Sequence, residues 1–96
     1  MDFEWDDRKA THNLAKHGIA FTDAMTVFAD PLAITYPDPD HSHHEDRYIT
    51  IGLSVSDRLL IVSHADRDEV TRIISAREVT RKERRLYESG DYNASR

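Results

Sequence analysis

From Tyr48 to Leu53 apolar and polar side chains alternate, Ile49, Ile51 and Leu53 against Tyr48, Thr50 and Gly52, and after a break at Ser54 to Asp57 the apolar character resumes from Leu59 to Val62. A period of two marks a strand with unlike faces, and two such runs across a short polar break describe a β-hairpin. Thr71 to Ser75 reads as a third strand beyond a charged turn at Ala65 to Glu69, so a mainly antiparallel sheet is expected. With a two- or four-residue turn around Val55 and Ser56, Ile51 faces Leu60, Ile49 faces Val62 and Arg47 faces His64. An odd-length loop breaks that pairing, and the sequence admits both.

Two helices are predicted ahead of the hairpin and one behind it, an α+β arrangement. Phe3 and Trp5 around Glu4 suggest a short edge strand. Asp6 or Asp7 can cap a first helix with Ala10, Leu14 and His17 on one face and Gly18 as its stop. Lys9, Asn13 and Lys16 share another face, a polar strip that suits solvent, a groove or a partner. Thr22 is the expected cap of a second short helix carrying Ala24, Val27 and Phe28, ended by the Asp30-Pro31 step. Leu32 to Tyr36 is then extended, and Pro37 to His44 reads as a loop. Ser75-Ala76-Arg77-Glu78 matches the S-x-x-E capping box, which places Arg77, Arg81, Arg84 and Glu88 along one side of a last helix closed by Gly90. Asp91 to Arg96 is expected to fray.

A chain of 96 residues with 39% hydrophobic side chains forms one domain, spanning residues 1–96, with a single modest core. It has no cysteine, its charged first residues do not resemble a signal peptide, and no stretch approaches membrane-spanning length, so a cytoplasmic protein is expected. Charge is distributed unevenly. Residues 1–46 carry three Lys/Arg against ten Asp/Glu, giving −7, and residues 47–96 carry ten against eight, giving +2, which sum to the net −5. An acidic chain lacks a global attraction to nucleic acid, so any such contact must be local and salt-sensitive.

The local concentration is Arg67, Arg72, Arg77, Arg81, Lys82, Arg84 and Arg85. Guanidinium forks fit phosphate oxygens and stay charged at physiological pH, although arginines on a helix also serve simply as solvated surface. The chain has no G-x-S-x-G elbow, phosphate loop or dinucleotide fingerprint. His41, His43 and His44 with Asp38, Asp40, Glu45 and Asp46 sit in a Pro-broken loop, without the convergent spacing of a metal motif, so no metal or other cofactor is expected. RNA cleavage needs neither, because the 2′-hydroxyl is the nucleophile. The protein need only align it, move two protons and stabilise the charged phosphorane. His64, Glu45, Tyr87 and His17 are available for the proton transfers by type.

Several motifs, in order along nearly the whole chain, resemble the BrnT family of toxins: F-E-W-D at Phe3 to Asp6, N-L-A-K-H-G at Asn13 to Gly18, V-F-A-D-P at Val27 to Pro31 and H-S-H-H-E-D-R at His41 to Arg47. Arg67, R-I-I-S-A-R at Arg72 to Arg77, E-R at Glu83 and Arg84, and Y-E at Tyr87 and Glu88 complete the set. Val79 departs from the pattern, where a small residue is usual. The resemblance implies a RelE-like fold and a type II toxin that inhibits translation by cutting RNA. It also implies a BrnA-like antitoxin with a ribbon-helix-helix-type DNA-binding domain, a toxin–antitoxin hetero-oligomer, and contact with operator DNA only through the antitoxin.

Carried over by position, the patterned polar residues are Lys16, His17, His41, Glu45, Arg47, Arg67, Arg72, Ser75, Arg77, Arg84 and Tyr87. The resulting expectation is that Arg67, Arg72 and Arg77 hold the scissile phosphate while Glu45, His64 or Tyr87 moves the proton. Arg47, Arg81, Arg84, Lys16 and His17 are expected to bind RNA. The rival reading is a non-catalytic module whose basic C-terminal helix docks a protein or nucleic acid.

Overall fold

The computed structural model describes residues 1–38, 40 and 46–90. The His41 to His44 run, Glu45 and the tail from Asp91 lie outside the described residues. The elements, in order, are β1 (Asp2–Glu4), α1 (Asp7–His17), α2 (Phe21–Ala24) running into a 3-10 turn at Met25–Ala29, β2 (Ile34–Pro37), β3 (Arg47–Leu53), β4 (Leu59–Arg67), β5 (Val70–Glu78) and α3 (Arg81–Ser89). The strands form one sheet in the order β1-β5-β4-β3-β2. All neighbours are antiparallel except β1, which lies parallel to β5 at the edge.

α1 starts and stops where its residues dictate. The Asp6 Oδ1 accepts from the amides of Arg8 at 2.8 Å and Lys9 at 3.3 Å, and Gly18 at φ 70° takes the left-handed closing position. The inward face differs from the expected one. Leu14 is 51% exposed, whereas Asn13 is buried. Its Nδ2 donates to the carbonyls of Ile19 at 2.9 Å and Ala76 at 2.8 Å, and its Oδ1 accepts from the Ala76 amide at 3.0 Å. Beyond Arg72 the outer edge of β5 no longer pairs with β1. The Asn13 carboxamide, one donor and one acceptor facing Ala76, substitutes there for a missing strand, which repays burying a polar group. Thr22 does not cap α2, which begins at Phe21 with no side-chain cap.

The hairpin register is one residue from the even-turn reading. Residues 54 to 58 form a five-residue loop closed by the Ser54 amide donating to the Arg58 carbonyl at 2.9 Å. Ile51 therefore faces Ile61, Ile49 faces Ser63, Arg47 faces Ala65, and His64 faces Tyr48 instead of Arg47. Because side chains alternate with period two, the shift puts Arg47 and His64 on opposite faces of the sheet.

The Ser75–Glu78 capping box is also corrected. These residues continue β5, and the box forms at Thr80: its Oγ1 accepts from the Glu83 amide at 3.2 Å, and Glu83 Oε1 accepts from the Thr80 amide at 2.8 Å. Both quartets satisfy the same pattern. The strand retains the first because Ala76 pairs with Val62 and is buried between sheet and helices. Arg77 accordingly belongs to β5 and not to the last helix.

One face of the sheet is covered by α1, α2 and the 3-10 turn over Ile19, Phe21, Ala24, Val27, Leu60, Val62, Ile73 and Ala76. Contact is close at Gly52, where an added Cβ would stand 3.0 Å from the Val27 carbonyl oxygen. On the other face a smaller cluster of Ile51, Leu59, Ile61 and Leu86 lies under α3. α3 covers only the end of that face nearest the 54–58 loop.

Candidate functional site

Paired residues on neighbouring strands point to the same side, so register assigns the surface that the described residues leave open. Beyond α3, the rows are Tyr36, Ile49, Ser63, Ser75 and then Arg47, Ala65, Arg72, Glu4, with Arg67 and Val70 last. Arg47 and Arg72 flank the same small residue, Ala65, so their Cα atoms are about 10 Å apart, and Arg67 follows about 7 Å along β4. Arg72 reaches this face because of a bulge. Ser63 pairs with Ser75 but His64 pairs with Ile73, which leaves Ile74 as an extra residue in β5. In a regular strand Arg72 and Arg77, five residues apart, would point to opposite sides; the inserted residue turns them to the same one.

The arginines have different environments. Arg77 is held by Glu83 through two bonds of 2.8 Å, and its Nη1 also donates to the Glu78 carbonyl at 3.1 Å. The hydrogen bonds from Glu83 hold the guanidinium pKa above its ordinary value, and the Arg77 hydrogen bonds hold the Glu83 carboxyl below its own. This fork ties α3 to the sheet. Arg72 contacts Glu4 at 3.6 Å, both partly exposed, an arrangement of small energetic consequence. Arg47 is half-buried and Arg67 exposed, while Arg81 and Arg84 are exposed on α3.

The proton carriers that the structure describes lie elsewhere. His64 is 2% exposed and points beneath the sheet, its Nε2 2.8 Å from Thr50 Oγ1 and its Nδ1 2.9 Å from Asp66 Oδ1, with Phe28 edge-on and Tyr48 stacked on the ring. Burial lowers its pKa against the opposing pull of Asp66. Tyr87 donates its hydroxyl to Asp30 Oδ2 at 2.7 Å, and this bond raises its pKa to about 12. The same oxygen of Asp30 accepts the Leu53 amide at 2.8 Å. Leu53 lies six residues along β3 from Arg47, about 20 Å, so the phenol is at the far end of the sheet from the arginine row. Glu45 and His41 fall outside the described residues. Lys16 and His17 line a groove between α1 and β5 that Ser75 shares.

Ser63 and Tyr36 on the open face were not singled out from sequence, although strand alternation identifies both once the loop length is known. Among the described residues no group of three His, Asp or Glu converges on a metal position, and no helix is long and apolar enough to cross a membrane. What the open face offers is dispersed cationic hydrogen-bond donors beside hydroxyl groups, a surface for binding and polarising a phosphodiester.

A crystal structure of the Brucella abortus ribonuclease toxin BrnT superposes with a TM-score of 0.66 at 26% identity, covering 84% of this chain and 99% of that one. No curated protein sequence matches the chain. The family model for the BrnT ribonuclease toxin of type II toxin–antitoxin systems matches residues 5–83, and a match over most of its length means that this chain belongs to the BrnT family.

Proposed function

We propose that this toxin is an endoribonuclease that cuts RNA without a metal ion at the open end of its sheet. The observation that carries the reading is the placement of Arg47, Arg67 and Arg72 around Ala65 on one face that the described residues leave uncovered, in a member of a ribonuclease toxin family. The 2′-oxygen attacks phosphorus as its proton passes to a base. The P–O5′ bond breaks as that oxygen takes up a proton, leaving a 2′,3′-cyclic phosphate and a 5′-hydroxyl. Arginine N–H groups hold the non-bridging oxygens as charge builds on them.

Glu45, two residues before Arg47, is our candidate base. His64 has both ring nitrogens engaged beneath the sheet, and the Tyr87 phenol serves Asp30. Arg77 acts in this scheme through α3, as a positioning residue. The wider reading is a RelE-like enzyme of the cytoplasm that arrests translation. A BrnA-like antitoxin would neutralise it in a hetero-oligomer and supply the only contact with operator DNA.

The test uses purified chain freed of any partner. It should degrade RNA in excess EDTA, and its expression without an antitoxin should arrest growth. RNA bound but never cut would make it a binding module, and activity restored by zinc after EDTA would return attention to the histidine loop.

A further inference from the structure

The groove between α1 and the β5 edge has a volume of about 370 Å³ and is lined by Arg8, Lys9, His12 and Lys16 from the helix and Ile74 and Ser75 from the strand. Two observations distinguish it from an ordinary solvated helix. All three Lys/Arg of the acidic first 46 residues are here. The four side chains are exposed, and among the described residues none of them is in an ion pair or hydrogen bond, whereas Arg58, Arg72 and Arg77 each have a carboxylate.

The groove also continues the open face. Ser75 lies in the row next to Arg72, and Ile74, the extra residue of the bulge, forms the lip between them. We propose that an RNA strand runs from the arginine row over this lip and into the groove, where Arg8, Lys9, His12 and Lys16 hold successive backbone phosphates. The inference rests on the ribonuclease reading and extends it to a second stretch of the same substrate. A polynucleotide carries a charge at every unit, which suits cations repeated along the helix at about 1.5 Å per residue. The aliphatic stems of Lys9 and Lys16 and the Ile74 side chain can lie against bases between the phosphates.

The experiment compares the wild-type chain with the triple variant Arg8→Gln, Lys9→Gln, Lys16→Gln, whose exposed positions leave the core untouched. Cleavage of a 20-nucleotide RNA and of a trinucleotide is measured over a salt series, with anisotropy of the labelled 20-mer as a binding readout. The ratio of kcat/KM for the long substrate to that for the short one should fall about tenfold, and the logarithmic salt slope of 20-mer binding should drop by about 2. An unchanged ratio and slope while both substrates are cut would overturn the groove and leave the ribonuclease standing. If the wild type cuts neither RNA but its binding slope still drops in the variant, the groove stands and the cleavage reading falls. Retained RNA affinity with lost affinity for a polyglutamate peptide would make the groove a protein-docking site and overturn the proposal.

Discussion

The two ends of the open sheet face carry similar residues in opposite roles. Beneath α3, Arg77 is clamped to Glu83 and Tyr87 is tied to Asp30, so cation and phenol hold the helix down. At the other end Arg47, Arg67 and Arg72 surround Ala65 with no described helix over them, and among the described residues the ion pair of Arg72 is a 3.6 Å contact with Glu4. Residue type does not assign a role here. A guanidinium gripped at 2.8 Å by a helix carboxylate serves architecture, whereas Arg72, at 3.6 Å from Glu4, keeps donors that a phosphate can take.

The comparison is most sharply tested by exchanging readouts. Arg72→Ala should lower RNA cleavage by about a hundredfold or more, as loss of a charge-stabilising donor does, with little change in thermal midpoint. A large fall in melting temperature would instead assign Arg72 to architecture. Asn13→Ala, which strips three hydrogen bonds from buried backbone, should cost about 3 kcal/mol in urea unfolding.

Arg77→Ala should show the reverse of Arg72→Ala. The cost is about 1–2 kcal/mol of stability, since Glu83 is only 17% exposed but Arg77 is 41% exposed and partly screened. Any loss of cleavage should be recovered by low temperature. Tyr87→Phe should matter least, lowering stability by about 1 kcal/mol and activity no more than stability explains. Severe loss of cleavage in a stable Tyr87→Phe protein would place the phenol in the chemistry.

Acid adds a test of the buried face. The His64 pKa is lowered in the fold, so the unfolded chain binds the proton more readily. Stability from this residue is full above the ordinary value of 6.5 and declines as pH falls below it. Glu83, also lowered, keeps its contribution until pH falls below 4.5. Unfolding free energy should therefore decline in two stages on acidification, and His64→Gln should remove the first. A His64→Gln profile identical to wild type between pH 7 and 5 would show that burial of the ring is not linked to its charge.

Much of the fold was legible because local rules and tertiary packing agree. Asp6, Gly18 and Gly90 end their helices in sequence and in space, and the alternation from Tyr48 to Val62 is the central hairpin. The errors arose where two local answers were equally good. A five-residue loop and a four-residue one leave similar traces in composition yet exchange every facing pair. Ser75-x-x-Glu78 and Thr80-x-x-Glu83 are both capping boxes, and only burial of Ala76 decides between them. The site depended on a feature with no local signature. Without the extra residue at Ile74, spacing places Arg72 and Arg77 back to back, so their common face follows only from the paired strands. Asn13 was hidden for a similar reason, since its partners lie 63 residues away.

The Asn13 carboxamide has a consequence for the molecule at high concentration. The sheet's outermost strands are three and four residues long, and the stretch of β5 left outside β1 has its Ala76 amide and carbonyl already occupied. Among the described residues a second copy thus finds no long run of vacant main chain on which to zip, the usual first step toward fibres.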